Sequence, residues 1–101
     1  MKQQPVTFVR IYLTEGEGRM ESLLQCLHDE EQVLGVTVFR GISGFGKSGT
    51  VHSAALLDLS MDLPLVIEFF DTPAKIARIL EHLGKKLEPG HVVSWPASVL
   101  V

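Results

Sequence analysis

Cysteine occurs once, at Cys26, so no disulfide can form within the chain, and a reducing compartment is the simplest expectation. Long apolar runs are absent: no stretch approaches the ~20 residues that a bilayer-spanning helix needs. The opening Met-Lys-Gln-Gln-Pro leads into an alternating segment rather than the apolar core of a signal peptide. A cytoplasmic protein without direct membrane insertion is expected. Positive charge is scarce. Nine Lys and Arg face twelve Asp and Glu, the net charge is −3, and no basic run is longer than Lys85-Lys86. That balance argues against a nucleic-acid partner, which favours a basic face. The four histidines (His28, His52, His82 and His91) show no metal-ligand spacing and Cys26 has no cysteine partner, so no metal site within one chain is expected. Glu68 and Asp71 are three apart on an expected strand and point to opposite faces. With no base placed beside Cys26, nothing resembles a catalytic constellation, and the chain is not expected to be an enzyme.

What is present is one domain's worth of amphipathic pattern. The chain has 101 residues, 46% of them hydrophobic. A domain of that size buries roughly 60–65% of its unfolded surface, enough for one core. Pro5 to Leu13 alternates as a strand, with Val9, Ile11 and Leu13 on one side and Phe8, Arg10 and Tyr12 on the other. Thr14-Glu15-Gly16-Glu17 has capping-box spacing. A helix should follow, burying Met20, Leu23, Leu24, Leu27 and Leu34, with Gly35 at its C-terminus. Val36 to Arg40 is a second strand and Leu63 to Phe70 a third, with Pro64 near its start, where a missing N–H is tolerated. Asp71-Thr72-Pro73 starts a second helix, whose apolar stripe is Ile76, Ile79, Leu80, Leu83 and Leu87. His91 to Ala97 is a fourth strand, stopped or kinked at Pro96, and the apolar tail 98–101 is suited to pairing with a neighbour. Residues 41–62 carry no clear period, although 54–59 is apolar enough for a short helix or an extended piece. A connection that long is usually functional.

The order β-α-β-β-α-β with right-handed crossovers gives an α+β, ferredoxin-like sandwich: an antiparallel four-stranded sheet with both helices on one face. The uncovered face should then be polar. It is not: Val6, Phe8 and Tyr12, with Val66 and Phe70, leave aromatic and aliphatic groups there whichever side the helices take. At about 25 cal/mol per Å², covering such a patch is worth several kcal/mol, so a homo-oligomer packed through sheet faces is expected, with Arg10 and Glu68 paired there.

Residues 35–49 read Gly-Val-Thr-Val-Phe-Arg-Gly-Ile-Ser-Gly-Phe-Gly-Lys-Ser-Gly. Glycines let backbone N–H groups crowd toward an anion and Lys47 adds charge. The stretch 41–48 satisfies G-x-x-x-x-G-K-[ST], but Gly49-Thr50-Val51 is a poor first helical turn and a chain this small cannot build the parallel sheet of a P-loop NTPase. Anion binding without hydrolysis is the better reading, carried by Gly41, Gly44, Phe45, Gly46, Lys47 and Ser48, with His52 nearby.

The segments GVTVFRGISGFG and LSMDLPLVIEFFD, with His52 between them, resemble the bacterial and archaeal family known as domain of unknown function 190, and the resemblance covers nearly the whole chain. That family is similar in fold to the PII signalling proteins, trimers of ferredoxin-like subunits with a long loop after the second strand. The resemblance implies a PII-like homotrimer that binds an adenine nucleotide or similar phosphate-bearing metabolite between subunits. By resemblance, Gly44-Phe45-Gly46-Lys47 meets the phosphates, with Gly90 in the loop that follows the second helix. It also implies a protein partner engaged through loop 41–62, such as a membrane transporter or ion exporter. The loop has no tyrosine, so the nucleotidylation used by some PII proteins lacks an acceptor. A trimeric interaction scaffold without a small-molecule ligand, and a small enzyme with an intersubunit site, are the alternatives.

Overall fold

A strand that alternates strictly between apolar and mixed side chains can bury only one face, and the first strand does so. In a computed structural model, which describes residues 1–46, 49–53 (51–53 as backbone only) and 62–101, β1 runs Gln3–Thr14. Val9 and Ile11 on it are fully buried and Leu13 nearly so. It pairs antiparallel with β5 (Pro64–Asp71) and with β6 (Val92–Leu100), and β5 pairs with β2 (Val36–Arg40). The sheet order β2-β5-β1-β6 is that of the expected ferredoxin-like sandwich.

Both helices cover one face. Leu23 and Leu27 from the first, and Ile76, Ile79 and Leu83 from the second, pack with Val9, Ile11, Leu65, Ile67 and Phe69. Each such burial is worth about 1.5–3 kcal/mol. Helix α2 (Pro73–Leu83) starts as its sequence dictates: the Thr72 hydroxyl accepts from the Lys75 amide at 3.4 Å and Pro73 fills the first position. No helix among the described residues is long and apolar enough to cross a membrane.

Four details depart from the sequence expectations. The capping-box residues do not open the first helix. Glu17 Oε1 accepts from the Thr14 amide at 3.2 Å, and the box closes a single 3-10 turn, Glu15–Glu17, which ends at Gly18 in the left-handed region (φ 68°). Helix α1 begins only at Met20–Gln25 and continues as a π turn through Cys26–Glu30. It stops at Gln32, whose φ of 53° reverses the chain, and the Val33 amide closes a six-residue bond to the Leu27 carbonyl at 3.1 Å. Leu34 therefore lies beyond the helix and is 85% exposed, and Gly35 leads into β2 rather than ending a helix.

Strand β6 also passes through Pro96 without a break. Lys2 and Val101 exchange both backbone hydrogen bonds, at 2.7 and 2.8 Å, which fixes which pairs along β1 and β6 are hydrogen-bonded. Counting by twos, Thr7 and Pro96 form a non-bonded pair, so the nitrogen of Pro96 faces the free edge, where no N–H is needed. The fourth departure is a short hairpin that the irregular segment conceals, β3 (Ser43–Phe45) against β4 (Val51–Ser53). A strand at 51–53 stands where a P-loop would need a helix. The segment 54–59 lies outside the described residues.

Candidate functional site

The uncovered sheet face carries the aromatic groups the sequence placed there. Phe8 stacks on Phe70 (centroids 5.5 Å apart) and on Trp95 (4.9 Å). Arg10, opposite Glu68 in the β1–β5 register, pairs with it at 2.6 Å and lies 5.8 Å from the Trp95 ring. The pairing anticipated between these two residues forms within one chain. The Arg10 guanidinium is held above its usual value, first by the hydrogen bond to Glu68 and then by one to Tyr12. Tyr12, Phe39 and Val93 on the same face are half exposed.

At one end of this face the strands run out into the root of the 41–62 connection, which is pinned on both sides. The Gly41 amide donates to the Pro64 carbonyl at 2.7 Å. Arg40 Nη2 lies 2.8 Å from Glu15 Oε1 and 2.9 Å from Oε2. The Gly16 amide donates to Asp62 Oδ1 at 2.8 Å and the Glu15 amide to the Leu63 carbonyl at 2.8 Å. The turn after β1 thus clamps both ends of the connection.

A cavity of about 710 Å³ opens beside this clamp. Gly41, Gly44, Phe45 and Gly46 line it, four of the residues expected to meet an anion. They do not contribute equally. A Cβ on Gly41 would sit 2.7 Å from Pro64 Cγ, so that glycine serves the close approach of two chain segments, whereas Gly46 has open space around it. Lys47 and Ser48 lie outside the described residues, and His52 is described as backbone alone, paired with Gly44 across the hairpin. Gly90 does not line the cavity. With φ at 84° it forms the third position of the turn Glu88-Pro89-Gly90-His91, closed by the His91 amide on the Glu88 carbonyl at 3.1 Å. That turn brings Glu88 and His91 to the cavity wall.

These two residues, with Tyr12, Glu17 and Val66, are among the wall residues that sequence reasoning missed. His91 Nδ1 lies 3.1 Å from the Tyr12 carbonyl and Nε2 lies 3.3 Å from Glu88. Arg19 sits behind them, 3.5 Å from Glu17 and 4.0 Å from Glu88, and donates to the Lys86 carbonyl. The only signal in the sequence was the Pro-Gly turn between an acid and a histidine.

Cys26 is buried in the helix-side core and does not line the cavity. Burial, and then the hydrogen bond to Glu30 at 3.4 Å, push its thiol above the usual value, which disfavours the nucleophilic thiolate. Among the described residues no cluster of His, Cys, Asp and Glu could hold a metal ion.

Comparison with known proteins places this geometry. Residues 6–99 match the family domain of unknown function 190, described as Uncharacterized ACR, COG1993. A UPF0166 protein of Methanocaldococcus jannaschii is 36% identical over 80 residues, covering 74% of this chain and 72% of that one. A UPF0166 protein of Aquifex aeolicus is 40% identical over 57 residues, 56% of this chain; the match spans 54% of the Aquifex protein's length. Among solved structures, CPII of Thiomonas intermedia K12, a nitrogen regulatory PII-like protein bound to ADP, AMP and bicarbonate, superposes with a TM-score of 0.73. The alignment covers 97% of this chain and 91% of CPII at 22% identity. The chain belongs to the domain of unknown function 190 family and has a PII-like fold.

Proposed function

We propose that this protein is a PII-like regulator that binds an adenine nucleotide, or a metabolite with similar phosphates, at a seam between copies of the chain. Occupancy is passed to a protein partner through residues 41–62. The observation that carries this reading is the position of the 710 Å³ cavity: it lies where the glycine-lined root meets the uncovered aromatic face of the sheet. Its volume is in the range of small-molecule sites. A second copy laid on that face covers Phe8, Phe70 and Trp95 and walls the open side of the cavity, as a homotrimer would. The backbone of 44–46 then offers N–H groups to phosphate, and Lys47, Ser48 and His52 follow directly in the chain. That a protein of the same fold, CPII, is bound to ADP and AMP supports the choice of ligand class.

The chemistry is binding rather than turnover. Differential affinity for two arrangements of the loop converts occupancy into a signal. A membrane transporter or ion exporter in the same compartment is the partner class this reading favours. Calorimetry with ATP, ADP and AMP tests it. Saturable heat is expected, and Lys47→Ala should weaken binding by roughly 1.5–3 kcal/mol, the worth of a charge-assisted hydrogen bond. No heat from any of the three with a folded oligomer would favour an interaction scaffold, and steady phosphate release from ATP would favour an enzyme.

A further inference from the structure

The four-stranded sheet ends on two edges, β2 and β6, and the β6 edge is poorly guarded. Natural edges carry charge or proline that deters pairing. Residues 92–101 read Val-Val-Ser-Trp-Pro-Ala-Ser-Val-Leu-Val, with no charged side chain and Pro96 as the single guard. The hydrogen-bond phase fixes which residues each edge offers. Lys2 and Val101 exchange backbone bonds, and at the other end the Tyr12 amide donates to the His91 carbonyl at 2.8 Å. Val92, Ser94, Pro96, Ser98 and Leu100 therefore turn their backbone groups away from β1. On β2 the Gly41 amide donates to the Pro64 carbonyl, so Val36 and Val38 turn theirs away from β5. Both sets lie on the helix side of the sheet, where Val36, Val38 and Val92 pack against the core. Beyond Pro96 stand Ser98 and Leu100, and the Leu100 side chain is 54% exposed. Beside Val36 a second cavity of about 460 Å³ opens, with Leu24, Val33 and the highly exposed Leu34 on its apolar side.

We propose that these two edges mate between copies of the chain: Ser98 and Leu100 of one copy pair antiparallel with Val38 and Val36 of the next, and Leu100 fills the cavity beside Val36. Direction, phase and charge each point to a second copy as the occupant. The sheet has four strands in antiparallel alternation, so β2 and β6 run in opposite directions, and a rotation about an axis along the strands keeps them so. Opposed residues of an antiparallel pair share a face. Joining the two outward-turned sets thus leaves the helices of both copies on one side and their aromatic faces on the other. An uncharged strand meets the apolar pair Val36 and Val38, and edge pairing continues the interface that the aromatic face requires. Such a contact is heterologous, the kind that closes into a ring. Pro96 sets the register, because its missing N–H bars pairing further along β6. The inference deepens the regulatory reading above and rests on it for the packing of copies through the aromatic face. It also bears on the ligand cavity: β2 leads directly into Gly41, so the neighbouring copy holds the strand that carries the cavity's root.

Fluorescence-detected sedimentation of the full-length chain over a concentration series tests this, with circular dichroism confirming that each variant is folded. Ser98→Pro removes an outward N–H but no bond within the chain, as Pro96 already does. It should raise the concentration of half-dissociation about tenfold, the scale of one lost hydrogen bond at each interface. Leu100→Asp, at a side chain exposed in the single chain, should raise it at least as far, and decides the matter if Ser98→Pro does not fold. Leu34→Lys placed in the same chain as Leu100→Asp should recover part of the loss. Only a contact between copies allows that recovery, since Leu34 precedes β2 and Leu100 ends β6, at opposite edges of one sheet. An unchanged midpoint in either folded single variant, or no recovery in the double variant, would overturn edge pairing and leave the regulatory reading standing. A wild type that sediments as one chain at low micromolar concentration would overturn both.

Discussion

Gly41 and Pro64 meet so closely that neither the first residue of the long connection nor the first residue of β5 has room to change. The Gly41 amide donates to the Pro64 carbonyl at 2.7 Å, and an added Cβ would stand 2.7 Å from Pro64 Cγ and 3.3 Å from its carbonyl oxygen. The contact joins β2 and β5 just where the cavity begins. Gly41→Ala should cost about 1–3 kcal/mol, the usual penalty of overpacking, and weaken nucleotide binding by displacing the root. Urea unfolding checks the first effect and calorimetry the second.

Arg40 and Glu15 close the same root from the other side, but their pair is partly exposed, Arg40 by 44%. Such pairs contribute about 0–1 kcal/mol. Arg40→Ala should therefore leave global stability nearly unchanged while accelerating hydrogen exchange at the Gly41 and Glu15 amides, two of those that tie the root together. Exchange rates equal to wild type at both amides would show that the ion pair does not hold the clamp.

The aromatic stack predicts the state of assembly. Trp95 lies on the uncovered face, stacked on Phe8, and is not part of the helix-side core. Trp95→Glu should reduce the sedimenting mass to that of one chain while the circular dichroism spectrum is retained. A wild type that already sediments as one chain at low micromolar concentration would contradict the packing of copies through this face.

Cys26 gives a pH dependence of stability. Its thiol is raised in the folded state by burial first and by Glu30 second. The unfolded thiol ionises near pH ~8.5. Below that pH the contribution is fully present, and it is lost as pH rises through the unfolded value toward the raised folded one, because only the unfolded chain gains from ionising. Relative to Cys26→Ala, the wild type should lose stability between pH 8 and 10, and a constant difference in urea midpoint would show that the thiol is not raised (both pH values are about those bracketing the free thiol).

The sheet and α2 were legible because their signals are local: strict alternation in β1 and β5, and Thr72-Pro73 before an apolar stripe at 76, 79 and 83. The end of α1 was not, because glutamine rarely takes the left-handed conformation that Gln32 adopts, and the glycine at 35 looked like the better stop. Pro96 misled because its tolerance depends on the hydrogen-bond phase of the β1–β6 pairing, which a single strand does not reveal. The glycine side of the cavity was readable as one run, Gly41 to Gly46. The Glu17, Glu88 and His91 side was not, since these come from two turns far apart in sequence that only the fold brings together.

The most direct test is a crystal structure of the protein grown with ADP. Nucleotide density is expected in the cavity beside Gly44, Phe45 and Gly46, walled by a second copy seated on Phe8 and Trp95. Nucleotide bound elsewhere, or a loop root open to solvent with no neighbouring copy against it, would contradict it.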